Sequence, residues 1–223
     1  MDYKTEFIEF LAEVGALTFG DFVTKSGRRT PYFINIGQFC DGARIARLGG
    51  FYADRAMACP GLLTERTVLF GPAYKGIALA VATASAMAGR GINLPYCFNR
   101  KEVKDHGEGG ALVGHPLREG DRVLIIEDVI TAGTAVREVL PILQNAGAVV
   151  DGLLISVDRM ERGSGARAAA RELWEDCGIR SFPIVTVRDI VEVLRNRPVD
   201  GRVLIDDAAA ARMEAYMREY CVD

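Results

Sequence analysis

Short apolar runs alternate with amphipathic stretches along most of this chain. The apolar runs predict strands at residues 68–70, 96–98, 123–126, 149–157 and 184–187. Stretches with helical spacing follow them and predict helices at residues 75–88, 134–145, 166–176, 189–195 and 208–220. Strands that alternate with helices predict an α/β fold with a mostly parallel central sheet flanked by helices.

The first part of the chain has a different pattern. Residues 3–14 predict a helix that Gly15 ends, and residues 43–59 predict another. Between them, residues 18–23 and 31–36 predict two strands around a polar turn. Further along, residues 100–110 are polar and glycine-rich, which predicts a mobile loop. No linker or repeat divides the sequence, so we expect a single domain over residues 1–223.

Composition narrows the class of protein. The chain has 223 residues, 49% of them hydrophobic and 26% charged, and a net charge of −3, so we expect no nucleic-acid partner. The run at residues 77–87 is too short to cross a bilayer and no secretory leader is evident, so we expect no membrane partner. Five scattered cysteines without a CxxC pair favour a reduced, cytoplasmic location without structural zinc.

The most informative segment is residues 123–135. A continuous apolar run, typical of a parallel strand covered on both faces, delivers Glu127 and Asp128 to its carboxyl end. A loop of small residues then opens a helix, and loop N–H groups at the positive end of a helix dipole can bind a phosphate dianion. The two acids can accept hydrogen bonds from a ribose diol but would repel a second phosphate. Alternatively, the acids only cap the helix and the loop is an ordinary turn.

This segment resembles the 5-phosphoribosyl 1-diphosphate (PRPP) binding motif of type I phosphoribosyltransferases. Four further segments resemble orotate phosphoribosyltransferases and occur in the expected order, namely residues 25–34, 70–76, 100–107 and 156–163. The resemblance covers residues 15–217. It implies the type I phosphoribosyltransferase fold, with a small N-terminal hood and a mobile loop hairpin. Residues 1–40 and the C-terminal region would form the base-binding hood. Many relatives carry two aspartates where this chain has Glu127 and Asp128.

The resemblance also implies a reaction. The phosphoribosyl group of PRPP is transferred to orotate, giving orotidine 5′-monophosphate and diphosphate in de novo UMP synthesis. The displacement passes through an oxocarbenium-like state. Mg²⁺ is required and is chelated mainly by PRPP, with no direct protein ligand expected. The implied assembly is a homodimer in which the mobile loop of one subunit completes the site of the other.

Site residues follow from the same resemblance. The implied catalytic residues are Lys104, His106, Glu127 and Asp128. The implied PRPP-binding residues are Lys25, Tyr74, Lys75, Arg100, Lys101, Lys104, His106, Glu127, Asp128, Val129, Ile130, Thr131, Ala132, Gly133, Thr134 and Ala135. The implied orotate-binding residues are Phe33, Ile34, Thr131 and Arg159.

Taken alone, several of these residues have simpler explanations. Lys75 can be a solvated lysine after an ordinary turn, and residues 100–110 a solvated hairpin tip. Arg159 can form a salt bridge to Asp158 or Glu161 instead of binding a planar carboxylate. Two other functions also stay open, a phosphoribosyltransferase for a purine or another base and a non-catalytic regulator that senses PRPP.

Overall fold

The structure is a computed structural model that describes residues 2–24, 27–104, 110–130, 133–163 and 165–222, with residues 103 and 104 described by their backbone only. The helices are α1 (Tyr3–Glu13), α2 (Gly42–Met57), α3 (Lys75–Ala88), α4 (Thr134–Asn145), α5 (Ala169–Cys177), α6 (Val187–Leu194) and α7 (Asp207–Tyr220). The strands are β1 (Leu17–Val23), β2 (Arg29–Ile34), β3 (Thr67–Gly71), β4 (Tyr96–Lys104), β5 (Gly110–Gly114), β6 (Arg122–Val129), β7 (Val149–Asp158), β8 (Arg180–Thr186), β9 (Pro198–Val199) and β10 (Arg202–Val203).

The central sheet has the strand order β5-β4-β3-β6-β7-β8. All its pairings are parallel except that of β5 with β4. The chain adds β4 on one side of β3 and later adds β6 on the other. A crevice therefore opens at the carboxyl ends of β3 and β6, the position where open α/β sheets bind ligands. The prediction of a mostly parallel α/β sheet is confirmed.

Both faces of the sheet are covered. Along β6, Leu124 and Ile126 pack into one hydrophobic cluster, which also contains residues of α1, α2, α3 and α7. Val123 and Ile125 point into a second cluster with residues of α4 and α5. All four side chains are fully buried, as the apolar run predicts. Among the described residues, no helix is both long enough and apolar enough to cross a membrane.

A smaller layer lies beside the sheet, and we call it the hood. It consists of the antiparallel hairpin β1–β2 and helix α7, which packs against β2. The rings of Tyr32 on β2 and Tyr216 on α7 meet edge to face, with centroids 5.9 Å apart. Asp206 caps α7 by accepting a hydrogen bond from Ala209 N, as the acidic residues before that helix predict.

Three expectations about secondary structure are wrong. Residues 100–104 are not part of a loop, because β4 continues to Lys104 and pairs with β5, a strand that the apolar pattern does not predict; the antiparallel pairing agrees with the hairpin that the family resemblance implies. Residues 105–109 of the predicted loop lie outside the described residues. Ile36 belongs to a 3₁₀ turn rather than to β2. Val187 begins α6 instead of ending β8, because Thr186 and Asp189 form a capping box there.

Candidate active site

Asp128 lies at the carboxyl end of β6 and is 7% exposed. Its Oδ2 accepts a hydrogen bond from Lys75 Nζ at 2.7 Å, and its Oδ1 accepts one from Val129 N at 2.8 Å. Lys75 is the first residue of α3, which follows β3 after a short turn. The ion pair therefore spans the crevice between β3 and β6. The side chain of Lys75 is 66% exposed, so it is a solvated lysine that is also paired with an acid.

Glu127 precedes Asp128, and its Oε1 accepts a hydrogen bond from Asp128 N at 3.1 Å. The pKa of Glu127 is raised to about 7, chiefly by burial and next by the negative charge of Asp128, although the N–H of Asp128 and the charge of Lys75 act in the opposite direction. Glu127 therefore changes its charge near neutral pH. The protonation of such a carboxylate changes when a ligand brings a positive or negative charge close to it.

Two hydroxyl groups hold the backbone that carries this acidic pair. Tyr52 on α2 donates to the carbonyl of Glu127 at 2.7 Å, and Ser156 on β7 donates to the carbonyl of Asp128 at 2.6 Å. Both hydroxyls belong to buried residues. They fix the end of β6 from a helix on one side and a neighbouring strand on the other.

Helix α4 begins at Thr134, a short connection after this pair. Its N-cap residue is Gly133, whose φ of 69° is left-handed and whose added Cβ would lie 3.1 Å from the side chain of Leu173. Among the described residues, the hydrogen bonds of Glu127 and Asp128 go to β6 N–H groups and Lys75, not to the first turn of α4. The described contacts therefore do not support a mere capping role.

The predicted phosphate loop is described in part. Thr131 and Ala132 lie outside the described residues, whereas Thr134 and Ala135 are exposed in the first turn of α4. Val129 is half-buried, and Ile130 packs into the second hydrophobic cluster. Ile130 can therefore offer a ligand only its backbone.

In the turn from β3 to α3, the backbone at the start of α3 lies very close to the backbone of β3 and β6. An added Cβ on Gly71 would lie 2.2 Å from the carbonyl oxygen of Gly76, and one on Gly76 would lie 2.8 Å from that of Ile126. These glycines are required by the approach of α3 to β3 and β6. The turn is also held by Asn99 on β4, whose Oδ1 accepts a hydrogen bond from Ala73 N at 2.9 Å. Tyr74 is exposed beside it.

The predicted cations of β4 and the following loop are only partly described. Arg100 is half-buried, and exposed Lys101 lies 3.9 Å from the carboxylate of Glu138 on α4. This contact places Lys101 beside α4. The side chain of Lys104, together with Lys25 and His106, lies outside the described residues.

The predicted orotate-binding residues lie at the hood and at the end of β7. Arg159 is 7% exposed, and its guanidinium lies over the ring of Tyr32, 4.6 Å from the centroid. Its Nε and Nη2 donate to Glu161 Oε1 at 3.0 and 2.7 Å, which is one of the two ion pairs left open above. Phe33 is exposed, whereas the side chain of Ile34 is buried in the core.

Comparison with known proteins shows the family of the chain. The phosphoribosyl transferase domain family matches residues 52–184. The orotate phosphoribosyltransferase of Lachnoclostridium phytofermentans is 50% identical, over 99% of this chain and 98% of the relative. That of Clostridium acetobutylicum is 52% identical, over 99% and 98% respectively.

The chain belongs to the orotate phosphoribosyltransferase family. A crystal structure of the family member from Francisella tularensis superposes with a TM-score of 0.83 at 33% identity, covering 97% of this chain and all of that one. Adenine phosphoribosyltransferase from Leishmania donovani, at 14% identity and a TM-score of 0.53, shares the fold alone. The predicted type I phosphoribosyltransferase fold is therefore confirmed.

For this orotate phosphoribosyltransferase family member, sequence reasoning missed the residues that support the site. Tyr52, Asn99 and Ser156 each donate to or accept from its backbone, yet none of them was a predicted site residue, although Ser156 begins the segment 156–163 and Asn99 directly precedes the segment 100–107. Glu161 was noted only as an ion-pair partner of Arg159. Its position in one of the segments that carry the family resemblance is the signal that pointed toward it.

Proposed function

We propose that this chain transfers the 5-phosphoribosyl group of PRPP to orotate, giving orotidine 5′-monophosphate and diphosphate in pyrimidine biosynthesis. The single observation that carries this function is 50% identity to an orotate phosphoribosyltransferase over 99% of the chain. The acidic pair in the crevice between β3 and β6 supports it, because that crevice is where this class of sheet binds nucleotides and sugar phosphates.

The proposed PRPP site has two parts. Backbone N–H groups of residues 131–135 take the 5′-phosphate at the positive end of the α4 dipole. Glu127 and Asp128 accept hydrogen bonds from the ribose hydroxyls. Since Tyr52 and Ser156 hold the carbonyl groups of this pair, the carboxylates are positioned before PRPP arrives.

Charge separates during the proposed displacement. Positive charge grows on the ribose ring, where Glu127 and Asp128 can stabilise it, and negative charge grows on the departing diphosphate. The cations assigned to the diphosphate are Lys75, Arg100, Lys101, Lys104 and His106. Preorganised charges of this kind usually contribute the largest part of catalysis, so no covalent nucleophile is needed.

The proposed orotate site uses a different set of groups. Arg159 can pair with the orotate carboxylate, and the backbone of Phe33 and Ile34 flanks the pyrimidine, with Thr131 at its edge. The burial of Arg159 favours this role, because a guanidinium in a poorly hydrated site binds a carboxylate more strongly than one in water.

Magnesium fits this site as an ion carried by the substrate. Among the residues that the structure describes, no group of three or more His, Cys, Asp or Glu side chains can hold a metal. Glu127 and Asp128 are the carboxylates that can contact an ion chelated by PRPP oxygens. When bound, Mg²⁺ would neutralise part of the diphosphate charge.

The proposal includes a homodimer with shared active sites and a cytoplasmic location. All five cysteines are free in the structure, as suits a reducing compartment. Sedimentation would give the assembly state. Mixing a Lys104→Ala subunit with an Asp128→Asn subunit would test site sharing, because mixed dimers regain activity only if a site takes residues from both chains.

The decisive experiment follows orotate absorbance with purified protein, PRPP and Mg²⁺. We expect loss of orotate only when all three are present with the protein. Competition among orotate, uracil, hypoxanthine and adenine tests the alternative of another base. PRPP binding without turnover of any base would instead support the regulator.

A further inference from the structure

The carboxylate of Glu161 is the centre of a cluster that joins four parts of the chain, and we call it the Glu161 cluster. Besides Arg159, the hydroxyls of Tyr32 and Tyr216 donate to Oε1 at 3.2 and 2.6 Å. Arg28 Nη1 donates to Oε2 at 3.1 Å. The donors come from the residue after β7, from β2, from α7 and from the turn before β2. One carboxylate therefore ties the end of the sheet to the hood.

The backbone around Glu161 is held as firmly as its side chain. Met160 has a left-handed φ of 56°, which turns the chain sharply between Arg159 and Glu161. The end of α7 and the residues after it pair with this turn, since Arg162 N donates to the carbonyl of Tyr220 at 3.0 Å and Val222 N to that of Met160 at 3.0 Å. Such a fixed turn is suited to a residue that must orient another.

Glu161 leaves part of the Arg159 guanidinium for another acceptor. Its contacts use Nε and Nη2, which form one side of the planar group. The end formed by Nη1 and Nη2 is geometrically separate, and it can hold a second carboxylate in a bidentate pair. Because the ring of Tyr32 covers one face of the guanidinium, this end has little freedom to turn.

The charges of the cluster do not balance. Among the described residues in direct contact, two guanidinium groups, Arg28 and Arg159, pair with one carboxylate, which leaves one positive charge. Arg188 and Asp158 carry opposite charges that both act on the neighbouring Cys221 thiol. A ligand with a single carboxylate would therefore complete the charge balance of this partly buried site.

We propose that Glu161 is a positioning and specificity-determining residue for the base. It fixes the direction of Arg159 and sets the cluster to accept one negative charge, which selects a substrate that carries a carboxylate. This inference rests on the proposed function, since it assumes that Arg159 meets orotate.

The test is Glu161→Gln, which keeps the size of the side chain but removes its charge. We expect the KM for orotate to rise about tenfold, because Arg159 loses the charged partner that fixes its direction, and this loss outweighs the additional positive charge of the cluster. The KM for PRPP should stay within about twofold, because the Glu161 cluster lies outside the PRPP site. Initial rates with each substrate varied in turn give the two KM values. The midpoint of thermal unfolding shows whether the variant is folded.

Two further variants complete the design. Asp151→Asn removes another charge in an ion pair, at 2.6 Å from Arg122 and near the opposite end of β6 and β7, and should leave both KM values unchanged. Tyr216→Phe removes one donor to Glu161 and keeps the ring. It should raise the KM for orotate about threefold, and it tests the proposal should Glu161→Gln fail to fold.

Other outcomes would overturn the proposal. If the orotate KM of both Glu161→Gln and Tyr216→Phe matched that of the unaltered protein, Glu161 would have no part in base recognition. Equal rises in both KM values, accompanied by a lower unfolding temperature, would make it a purely structural residue. Assays of the unaltered protein distinguish a failure of this inference from a failure of the proposed function. If the unaltered protein did not consume orotate with PRPP, the proposed function itself would be rejected.

Discussion

The acidic pair at the end of β6 and the Glu161 cluster are built in opposite ways. The acidic pair consists of adjacent residues on one strand, and among the described residues Lys75 is the distant side chain that hydrogen-bonds a carboxylate of the pair. The Glu161 cluster gathers side chains from positions 28 to 216 of the chain. A site made from one segment is visible as a motif, whereas a site made from many segments exists only after folding.

The two regions also carry opposite residual charge. When both acids are ionised, Glu127 and Asp128 outnumber Lys75, which suits a ribose ring that becomes positive. In the Glu161 cluster, Arg28 and Arg159 outnumber Glu161, which suits an anionic base. The charge difference predicts that substitutions in one region affect PRPP, and substitutions in the other affect orotate.

The largest effect is expected from Lys104→Ala, which tests whether the loop cations act with the acidic pair on PRPP. Turnover should fall about 100- to 1000-fold, because a preorganised charge facing the diphosphate is lost, while PRPP binding weakens far less. Steady-state rates and PRPP titration separate the two. Lys4→Ala, which breaks the exposed pair with Asp189, is the matched control and should be fully active. A turnover number near that of the unaltered protein would contradict the role given to the loop.

Asp128→Asn should come next. Losing a charged acceptor for the ribose diol is expected to lower kcat/KM for PRPP about 10- to 100-fold, with the KM for orotate nearly unchanged. Thermal unfolding checks that the variant is folded, and Asp151→Asn again serves as the control. Unfolding of Asp128→Asn would favour the helix-capping alternative.

Arg159→Lys tests the Glu161 cluster, the region assigned to orotate. A lysine keeps the charge but loses the planar fork, so the KM for orotate should rise about tenfold while that for PRPP stays constant. Kinetics with each substrate varied in turn measure this difference. An equal change in both KM values would show that the two regions are not independent.

The smallest effect is a pH dependence from Glu127. Its pKa of about 7 lies above its ordinary value of 4.5, so the folded protein keeps this carboxyl protonated at slightly acidic pH. If the ionised form binds the ribose diol, kcat/KM for PRPP falls as pH drops below about 7 and is constant above it.

The same raised pKa affects stability in the opposite sense. Between pH 4.5 and about 7 the unfolded chain releases a proton that the folded protein retains, so stability falls as pH rises. Glu127→Gln should remove both dependences. A rate profile for PRPP that is flat from pH 6 to 8 in the unaltered protein would exclude a role for the charge of Glu127.

The parts of the fold that sequence predicted well have local causes. The apolar run of β6 and the boundaries of α3 and α4 follow from hydrophobic spacing within one segment. The strand character of residues 100–104 was missed because their polar side chains resemble a loop. Pairing with β5, a contact between separate segments, makes them a strand.

The candidate site divides in the same way. The adjacency of Glu127 and Asp128 and the small residues after them are properties of the sequence alone, since no folding is needed to bring neighbours together. The pairing of Lys75 with Asp128 depends on β3 and β6 lying side by side, and the donors around Glu161 depend on how the hood packs against the sheet. Tertiary structure decided these contacts because the positions of distant segments are set by packing of the whole core, which no local pattern contains.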